Sequence, residues 1–329
     1  MSHSNISIFV PHLGCPHQCS FCNQKYITGY TGIPHKEDID KAVQTAIKSN
    51  KYDKNSCEIA FFGGSFTAIN REYMLELLES AYKYVKSGQV SGIRISTRPD
   101  YINEEILKLL KQFGVTSIEL GAQSMNDNIL NVNNRGHQSI DVVNASVLIK
   151  DFGFSLGLQM MTGLYKSSNE DDIFTAKRLI EIKPDTVRIY PTITLKNTYL
   201  EKLYLNGNYK PQNLVDAVNL CARLENMFLD AGIKVIRVGL HSIEKESYIA
   251  GPWHQAFREL CEAKRYRDKL SVVLNKEGSY IVKVNKNDLS KCIGQKRSNI
   301  IYFEEKNIFI KVLPDNAVNK AEFIVEEVK

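Results

Sequence analysis

Three cysteines lie close together near the start of the chain, in the segment CPHQCSFC. They are Cys15, Cys19 and Cys22, spaced C-x3-C-x2-C, in a chain that has 7 cysteines in 329 residues. Three thiols on one loop indicate a metal site. Zinc usually takes four ligands, and His12 or His17 would have to supply the fourth. Three thiolates also suit a cubane iron–sulfur cluster that keeps one iron open, and the spacing favours this second interpretation.

Other residues with chemical potential follow apolar runs further along the chain. Gly63 ends the apolar run CEIAFFG, and Gly64 and Ser65 follow it directly. Glycines at this point would let the backbone approach a ligand closely, although a simple turn capped by Ser65 accounts for the same residues. Ser96 lies in RISTRPD and Gln123 in LGAQS, each at the end of a further apolar run.

The elements that would position these residues alternate between strand and helix. Strands are predicted at residues 5–11, 57–63, 92–98, 116–121, 154–161 and 186–191, and helices at residues 36–48, 71–85, 103–114, 139–153 and 169–182. This alternation predicts an α/β fold with a parallel sheet. A doubly wound sheet and a full or partial barrel both fit, and both place ligands at the carboxyl ends of the strands. We therefore expect the residues above to lie on one rim.

The loop C-x3-C-x-aromatic-C after a first strand resembles the radical S-adenosylmethionine (SAM) superfamily, and here the aromatic residue is Phe21. The resemblance implies a partial (β/α)6 barrel of the TIM type over residues 1–240. It implies a [4Fe–4S] cluster on Cys15, Cys19 and Cys22, with SAM bound at the fourth iron. It also implies reductive cleavage of SAM to a 5′-deoxyadenosyl radical, with electrons from a donor such as flavodoxin or ferredoxin.

Two further stretches extend the resemblance. One is LGAQSMNDNILNVNNRGH, which resembles the corresponding stretch of coproporphyrinogen dehydrogenases. This resemblance implies that Gln123 lies near the SAM ribose and that Arg135 binds the SAM carboxylate. A solvated surface arginine is the alternative for Arg135. RISTRPDYI resembles the elongator catalytic subunit, which modifies wobble uridine in tRNA, but that family usually has glutamate where Ser96 stands. Arg98 and Asp100 in this stretch can form an internal ion pair. The SAM site implied by these resemblances comprises Phe21, Gly63, Gly64, Ser65, Ser96, Gln123 and Arg135.

The pattern changes after residue 240. Residues 238–260 resemble the C-terminal extension of bacterial elongator-like radical SAM proteins, and nothing after residue 240 resembles an acetyltransferase domain. We expect this extension over residues 241–268 and a small α/β domain over residues 269–329. The short segments LSVVLN, SYIVKV, NIIYF and NIFIKVL predict a small sheet, with a helix near DLSKCIGQK.

A basic turn in this small domain is a candidate nucleic-acid contact. LSKCIGQKRSNIIYF resembles the turn of a KH module, in which a G-x-x-G loop clamps nucleotide backbone. Arg297 stands where the second glycine would be. Lys291, Lys296 and Arg297 would contact phosphates, whereas a solvated basic helix end explains the same residues without a ligand.

Composition limits the remaining possibilities. Hydrophobic residues make up 43% and charged residues 24% of the chain, as in ordinary globular proteins. No apolar run is long enough for a membrane span, and the odd cysteine count without an export signal predicts a cytoplasmic protein. The net charge of +5 is compatible with an anionic partner. Three functions stay open: a radical SAM enzyme acting on tRNA, a radical SAM oxidoreductase acting on a small molecule such as a porphyrin precursor, and a non-catalytic zinc or RNA-binding protein.

Overall fold

The computed structural model describes residues 4–11, 15, 17–23, 32–240, 243 and 245–328. The strands of its first two thirds are β1 Ser4–Val10, β2 Cys57–Gly63, β3 Gly92–Thr97, β4 Val115–Gln123, β5 Ser155–Thr162, β6 Thr186–Pro191, β7 Thr194–Leu195 and β8 Lys234–Val238. Seven of them form one parallel sheet in the order β1-β2-β3-β4-β5-β6-β8. Each strand pairs with its predecessor, as in a barrel and unlike the reversing order of a doubly wound sheet.

The sheet is a curled half-barrel that is open between β1 and β8, which confirms the predicted partial barrel. It has one strand more than the six predicted, because residues 234–238 pair with β6 and extend the edge. The small β7 lies outside this sheet and pairs with β9 Tyr248–Ala250.

Helices connect the strands, and most of them cover the outer face of the sheet. They are α1 Lys36–Ile47, α2 Arg71–Lys86, α3 Glu104–Gln112, α4 Asp127–Val132, α5 Ser139–Asp151, α6 Asn169–Ile182, α7 Tyr199–Leu205 and α8 Leu214–Asp230. Side-chain caps fix where several begin: Asn103 accepts the N–H of Ile106, and Ser168 accepts the N–H of Asp171. No helix in the described ranges combines the length and apolar character needed to cross a bilayer.

The two faces of the sheet differ in polarity because side chains alternate along each strand. In β3, Ile93 and Ile95 are fully buried in the main hydrophobic core under the helices. Arg94, between them, lies on the opposite, inner face, where it pairs with carboxylates of the neighbouring strands. The inside of the half-barrel is therefore polar.

A second core lies in the small C-terminal domain. Its elements are α9 Phe257–Val273, β10 Gly278–Val284, α10 Leu289–Ile293, α11 Ser298–Glu304, β11 Ile308–Pro314 and β12 Phe323–Val328. In its sheet β10 pairs in parallel with β11 and antiparallel with β12. Helix α9 runs without a break past residue 268 and contributes Tyr266 and Leu270 to this second core.

Two of the short strands predicted here are wrong. LSVVLN continues α9, in which Leu270 is buried while Val272 and Val273 are exposed. NIIYF forms α11, which buries Ile300 and Phe303 but exposes Ile301. Both segments are rich in β-branched and aromatic residues, so their composition suggested strands, but the burial of residues three and four positions apart is helical. Strand β12 was not predicted.

Candidate active site

A cavity lies at the carboxyl-terminal edge of the sheet, where the loops after β1, β2, β3 and β4 meet. The ten residues that the sequence analysis assigned to a cluster and to SAM all line it: Cys15, Cys19, Phe21, Cys22, Gly63, Gly64, Ser65, Ser96, Gln123 and Arg135. Its other lining residues, which the sequence analysis did not assign, are His17, Thr97, Arg98, Gly121 and Gln159. The chain thus brings the predicted residues to one place, and the role of each stays a prediction.

The cysteine loop is held from two sides. Ser20 donates a hydrogen bond of 2.6 Å to the Asn133 side chain, and its N–H donates to the Asn133 carbonyl at the end of α4. The Ser20 carbonyl accepts the N–H of Leu200 at the start of α7. Phe21 packs against the apolar cluster that Leu200 and Leu203 of the same helix form with Tyr209. These contacts fix the loop above the open end of the half-barrel.

The thiols themselves are buried or half-buried and have polar neighbours. Arg135 donates from Nη1 to the Cys19 Sγ at 3.2 Å. Burial raises the pKa of Cys15, although the hydrogen bond from the Ser65 N–H opposes this. Burial and the two neighbouring thiols also raise the pKa of Cys22. Because a metal binds the thiolate form, a metal bound at these cysteines would have to displace their protons.

Three thiols line one cavity, and this donor set fits a cubane cluster that keeps one iron open. Among the described residues, which leave out His12, no three His, Cys, Asp or Glu side chains converge on one ion position. A zinc site needs four donors that converge on one ion.

The glycine turn after β2 is shaped by close contact with β1. Gly63 has φ of +117°, and a Cβ atom there would lie 2.3 Å from the Val10 carbonyl oxygen. Gly64 donates its N–H to the same oxygen at 2.8 Å. The Ser65 hydroxyl bonds to the Thr97 hydroxyl at 2.8 Å, which ties the turn to the end of β3. Glycine is therefore required at position 63 for the turn to reach the cysteine loop.

Four polar atoms on the cavity residues are buried and have no hydrogen-bond partner within the described part of the chain: the hydroxyl of Ser96, Nη1 of Arg98, Oε1 of Gln123 and Nε of Arg135. Buried polar groups are normally paired, so such a group points to a ligand. Two guanidinium donors suit a carboxylate, and an amide oxygen and a hydroxyl suit ribose hydroxyls. The residues present thus fit SAM.

Arg98 is a cavity residue that sequence reasoning left as an internal ion pair. Its Nε and Nη2 each donate to Asp100 at 2.9 Å, and the side chain is 3% exposed. This fork fixes the plane of the guanidinium, so that Nη1 is left for a ligand. The position of Arg98 directly after a strand that ends on the rim is the sequence signal that would have identified it.

The end of β4 is irregular where it meets the cavity. Gln123 has φ of +64°, and the pairing of β4 with β5 shifts between Gly121 and Gln123. Arg135 donates from Nη2 to the Gly121 carbonyl at 2.5 Å, and a Cβ on Gly121 would lie 2.9 Å from that nitrogen. A non-glycine residue with positive φ carries backbone strain, and such strain often occurs at functional sites.

His137 lies beside the two arginines and was not identified from the sequence. It is 4% exposed. Burial, together with the charges of Arg135 and Arg98, lowers its pKa to about 3. The imidazole is therefore neutral near neutral pH, and the two guanidiniums are the positive groups on this side of the cavity.

A network of buried charges forms the inner wall of the half-barrel below the cavity. Arg94 donates to Glu58 at 2.8 Å and to Glu119 at 3.0 Å, and Arg188 donates to Glu119 at 2.8 Å. Burial opposes the charge of Arg188, but Glu119 and Tyr190 together outweigh burial and raise the pKa of Arg188. Gln159, which lines the cavity, also donates to Glu119 at 2.9 Å. The network thus links four strands and contacts the cavity through Gln159.

Comparison with known proteins agrees with this geometry. The model of the Radical SAM superfamily matches residues 9–179, and that of the Radical_SAM C-terminal domain matches residues 184–267. The tRNA uridine(34) acetyltransferase of Methanocaldococcus jannaschii is 28% identical over 245 residues, which are 63% of this chain and 45% of that protein. Human Elongator complex protein 3 is 31% identical over 198 residues, 54% of this chain and 36% of that protein.

A solved structure of archaeal Elp3 from Methanocaldococcus infernus has a TM-score of 0.65 at 23% identity, and covers 82% of this chain and 64% of that chain. The chain thus spans half or less of the length of the two named relatives. The superfamily model alone covers more than half of the chain, in the part that carries the cysteine loop and the strand ends. The chain therefore belongs to the radical SAM superfamily, and its relatives are of the Elongator complex protein 3 type.

Proposed function

We propose that this radical SAM enzyme holds a [4Fe–4S] cluster on Cys15, Cys19 and Cys22 and modifies tRNA. The observation that carries the proposal is the convergence of these cysteines with buried, unpaired polar groups in one cavity at the strand ends. When bound, the cluster and SAM supply one-electron cleavage of SAM to methionine and a 5′-deoxyadenosyl radical, which takes a hydrogen atom from the substrate.

The residues around the cavity bind and orient SAM. Arg135 and Arg98 donate to its carboxylate, and Gln123 and Ser96 bond the ribose hydroxyls. Backbone carbonyls of the turn at Gly63, Gly64 and Ser65 accept hydrogen bonds from the SAM ammonium group, and Phe21 packs on the adenine. The half-barrel keeps water from the reacting atoms, which limits quenching of the radical.

RNA is the substrate class that the relatives support. Two of the compared proteins are a tRNA uridine acetyltransferase and an Elongator subunit. For a base to reach a cavity inside the rim, it must leave its stack. We assign residues 1–240 to the catalytic half-barrel, residues 241–268 to the extension and residues 269–329 to a small domain that contacts the RNA. A reduced flavodoxin or ferredoxin is the proposed electron donor.

The proposal is tested by measuring 5′-deoxyadenosine with and without tRNA. The protein is reconstituted anaerobically with iron and sulfide, and SAM and dithionite are added with total tRNA, with tRNA digested to nucleosides, or alone. We expect intact tRNA to raise the yield clearly above both controls. A yield that is substantial but indifferent to tRNA would refute the RNA assignment and would support a small-molecule substrate.

A further inference from the structure

A large groove separates the small C-terminal domain from the edge of the half-barrel. Its volume is about 770 Å³. One wall is the edge strand β8 and the start of α9, and the other is the turn between α10 and α11, residues 294–297. The groove is distinct from the cavity with the cysteines, since the two have no lining residue in common.

Positive charge prevails in the groove. Five cationic side chains line it, against two carboxylates: Arg237, Arg258, Lys291, Lys296 and Arg297 face Glu259 and Glu262. The Glu262 carboxylate lies 3.2 Å from Arg258 and 3.3 Å from Lys291. Arg297 is 69% exposed and lies 3.5 Å from Glu304. The turn therefore presents Lys296 and Arg297 to solvent at the mouth of the groove.

The turn has an unusual backbone. Gly294 has φ of +78°, and the two residues Lys296 and Arg297 follow in the left-handed region, with φ of 52° and 63°. A Cβ on Gly294 would lie 2.4 Å from the Ser298 hydroxyl, so this position requires glycine. Two consecutive long cationic residues in the left-handed region carry strain, because glycine or asparagine is the usual choice there. The strained conformation aims both side chains away from the domain core.

The groove reaches the inner face of the half-barrel. Arg237 on β8 is paired in register with Arg188 on β6, so both side chains lie on the same face of the sheet. Arg188 is part of the charged inner wall, where it pairs with Glu119. A polyanion that lies along the groove from the 294–297 turn to Arg237 therefore ends at the open edge of the half-barrel.

We propose that this groove binds the sugar–phosphate backbone of the RNA substrate and guides the strand toward the half-barrel. The inference rests on the proposed function, because it concerns the same RNA. Lys296 and Arg297 contact successive phosphates, and Arg237 contacts the backbone where it enters the barrel edge. These contacts neutralise phosphates and carry no base specificity, so they add affinity for any tRNA.

The test compares tRNA binding of charge variants by fluorescence anisotropy over a range of salt concentrations. The double variant Lys296→Glu/Arg297→Glu reverses the two charges of the turn. A second double variant, Lys296→Gly/Arg297→Gly, removes them while suiting the positive φ, so that strain or misfolding cannot account for a loss. The control is Lys276→Glu/Lys320→Glu, which makes the same charge change at exposed positions of the same domain outside the groove.

We expect both turn variants to bind tRNA at least about tenfold more weakly at low salt than the wild type. The slope of log affinity against log salt should fall by about 1.4 to 1.8, the value for two lost phosphate contacts. If the turn variants match the control while the wild type binds tRNA, the groove proposal is wrong and the proposed function stands. If the wild type itself does not bind tRNA, both proposals fail.

Discussion

Removal of the Glu119 charge is expected to destabilise the half-barrel by several kcal/mol. Its side chain is 0% exposed and accepts hydrogen bonds from Arg94, Arg188 and Gln159 at 2.8 to 3.0 Å. Glu119→Gln keeps the size of the side chain but removes its charge. Arg188 then loses the carboxylate with which it pairs, and Arg94 keeps only Glu58. Because breaking a buried ion pair from one side leaves an uncompensated charge, we expect a loss of about 3–5 kcal/mol.

Urea unfolding followed by far-UV circular dichroism measures this loss, with wild type and variant purified and reconstituted in the same way. The free energy of unfolding should fall through a lower midpoint at an unchanged slope. Glu104→Gln is the matched control, since Glu104 pairs with Lys108 on an exposed helix face where its side chain is 65% exposed. The control should change stability by at most about 0.5 kcal/mol. A loss below about 1 kcal/mol in Glu119→Gln would refute the reasoning that the inner wall depends on paired charges.

Three further variants test the cavity and its surroundings. Arg98→Lys keeps the charge, but a lysine cannot hold Asp100 with two nitrogens and still reach the cavity. We expect SAM binding, measured by equilibrium dialysis, to be about 10- to 100-fold weaker than in the wild type. The control Arg71→Lys, at an exposed position, should leave SAM binding unchanged. Gly63→Ala should lower the free energy of unfolding by more than its control, Gly207→Ala, does. Both glycines have positive φ, but a Cβ atom would clash only at Gly63, since the one at Gly207 would meet open space. The control should therefore cost only the backbone strain of about 1–2 kcal/mol. Burial raises the pKa of Asp172 from 3.8 to about 7, so the folded state binds this proton more tightly than the unfolded state does. The free energy of unfolding should therefore fall as pH rises from about 4 to about 7. In Asp172→Asn, the urea midpoint should fall less over the same pH range.

Equal SAM affinity in Arg98→Lys and wild type would show that Arg98 does not bind SAM. Equal destabilisation by the two glycine variants would show that contact with Val10 is unimportant. An Asp172→Asn variant whose stability depends on pH as steeply as that of the wild type would assign the dependence to other groups.

Sequence order predicted the location of the site better than its chemistry. In a parallel sheet the carboxyl ends of all strands lie on one edge, so residues such as Cys15, Gly63 and Gln123 can be brought together by knowing only which strand each follows. Whether Arg98 only forms an internal ion pair depends on the orientation of one guanidinium. In the structure it pairs with Asp100 and keeps Nη1 buried without a partner among the described residues. Spacing along the chain carries no such information.

The inner wall could not be predicted for a related reason. Glu58, Arg94, Glu119 and Arg188 alternate with apolar residues in their strands, a pattern typical of a solvent-exposed face. Their partners lie on other strands of the sheet, 25 to 69 residues away in sequence. Only the curvature of the sheet turns this face into a buried interior. In the small domain, packing against α9 likewise overrode the strand-like composition of residues 299–303.

The most direct test of the central claim compares wild type with Cys19→Ala after anaerobic reconstitution with iron and sulfide. Iron and sulfide content are measured first, and 5′-deoxyadenosine is then measured after addition of SAM and dithionite. If Cys15, Cys19 and Cys22 hold a cluster that cleaves SAM, the wild type contains about four irons per chain and forms 5′-deoxyadenosine, and the variant loses both. A Cys19→Ala variant that keeps the full metal content, together with a wild type that forms no 5′-deoxyadenosine, would contradict the account.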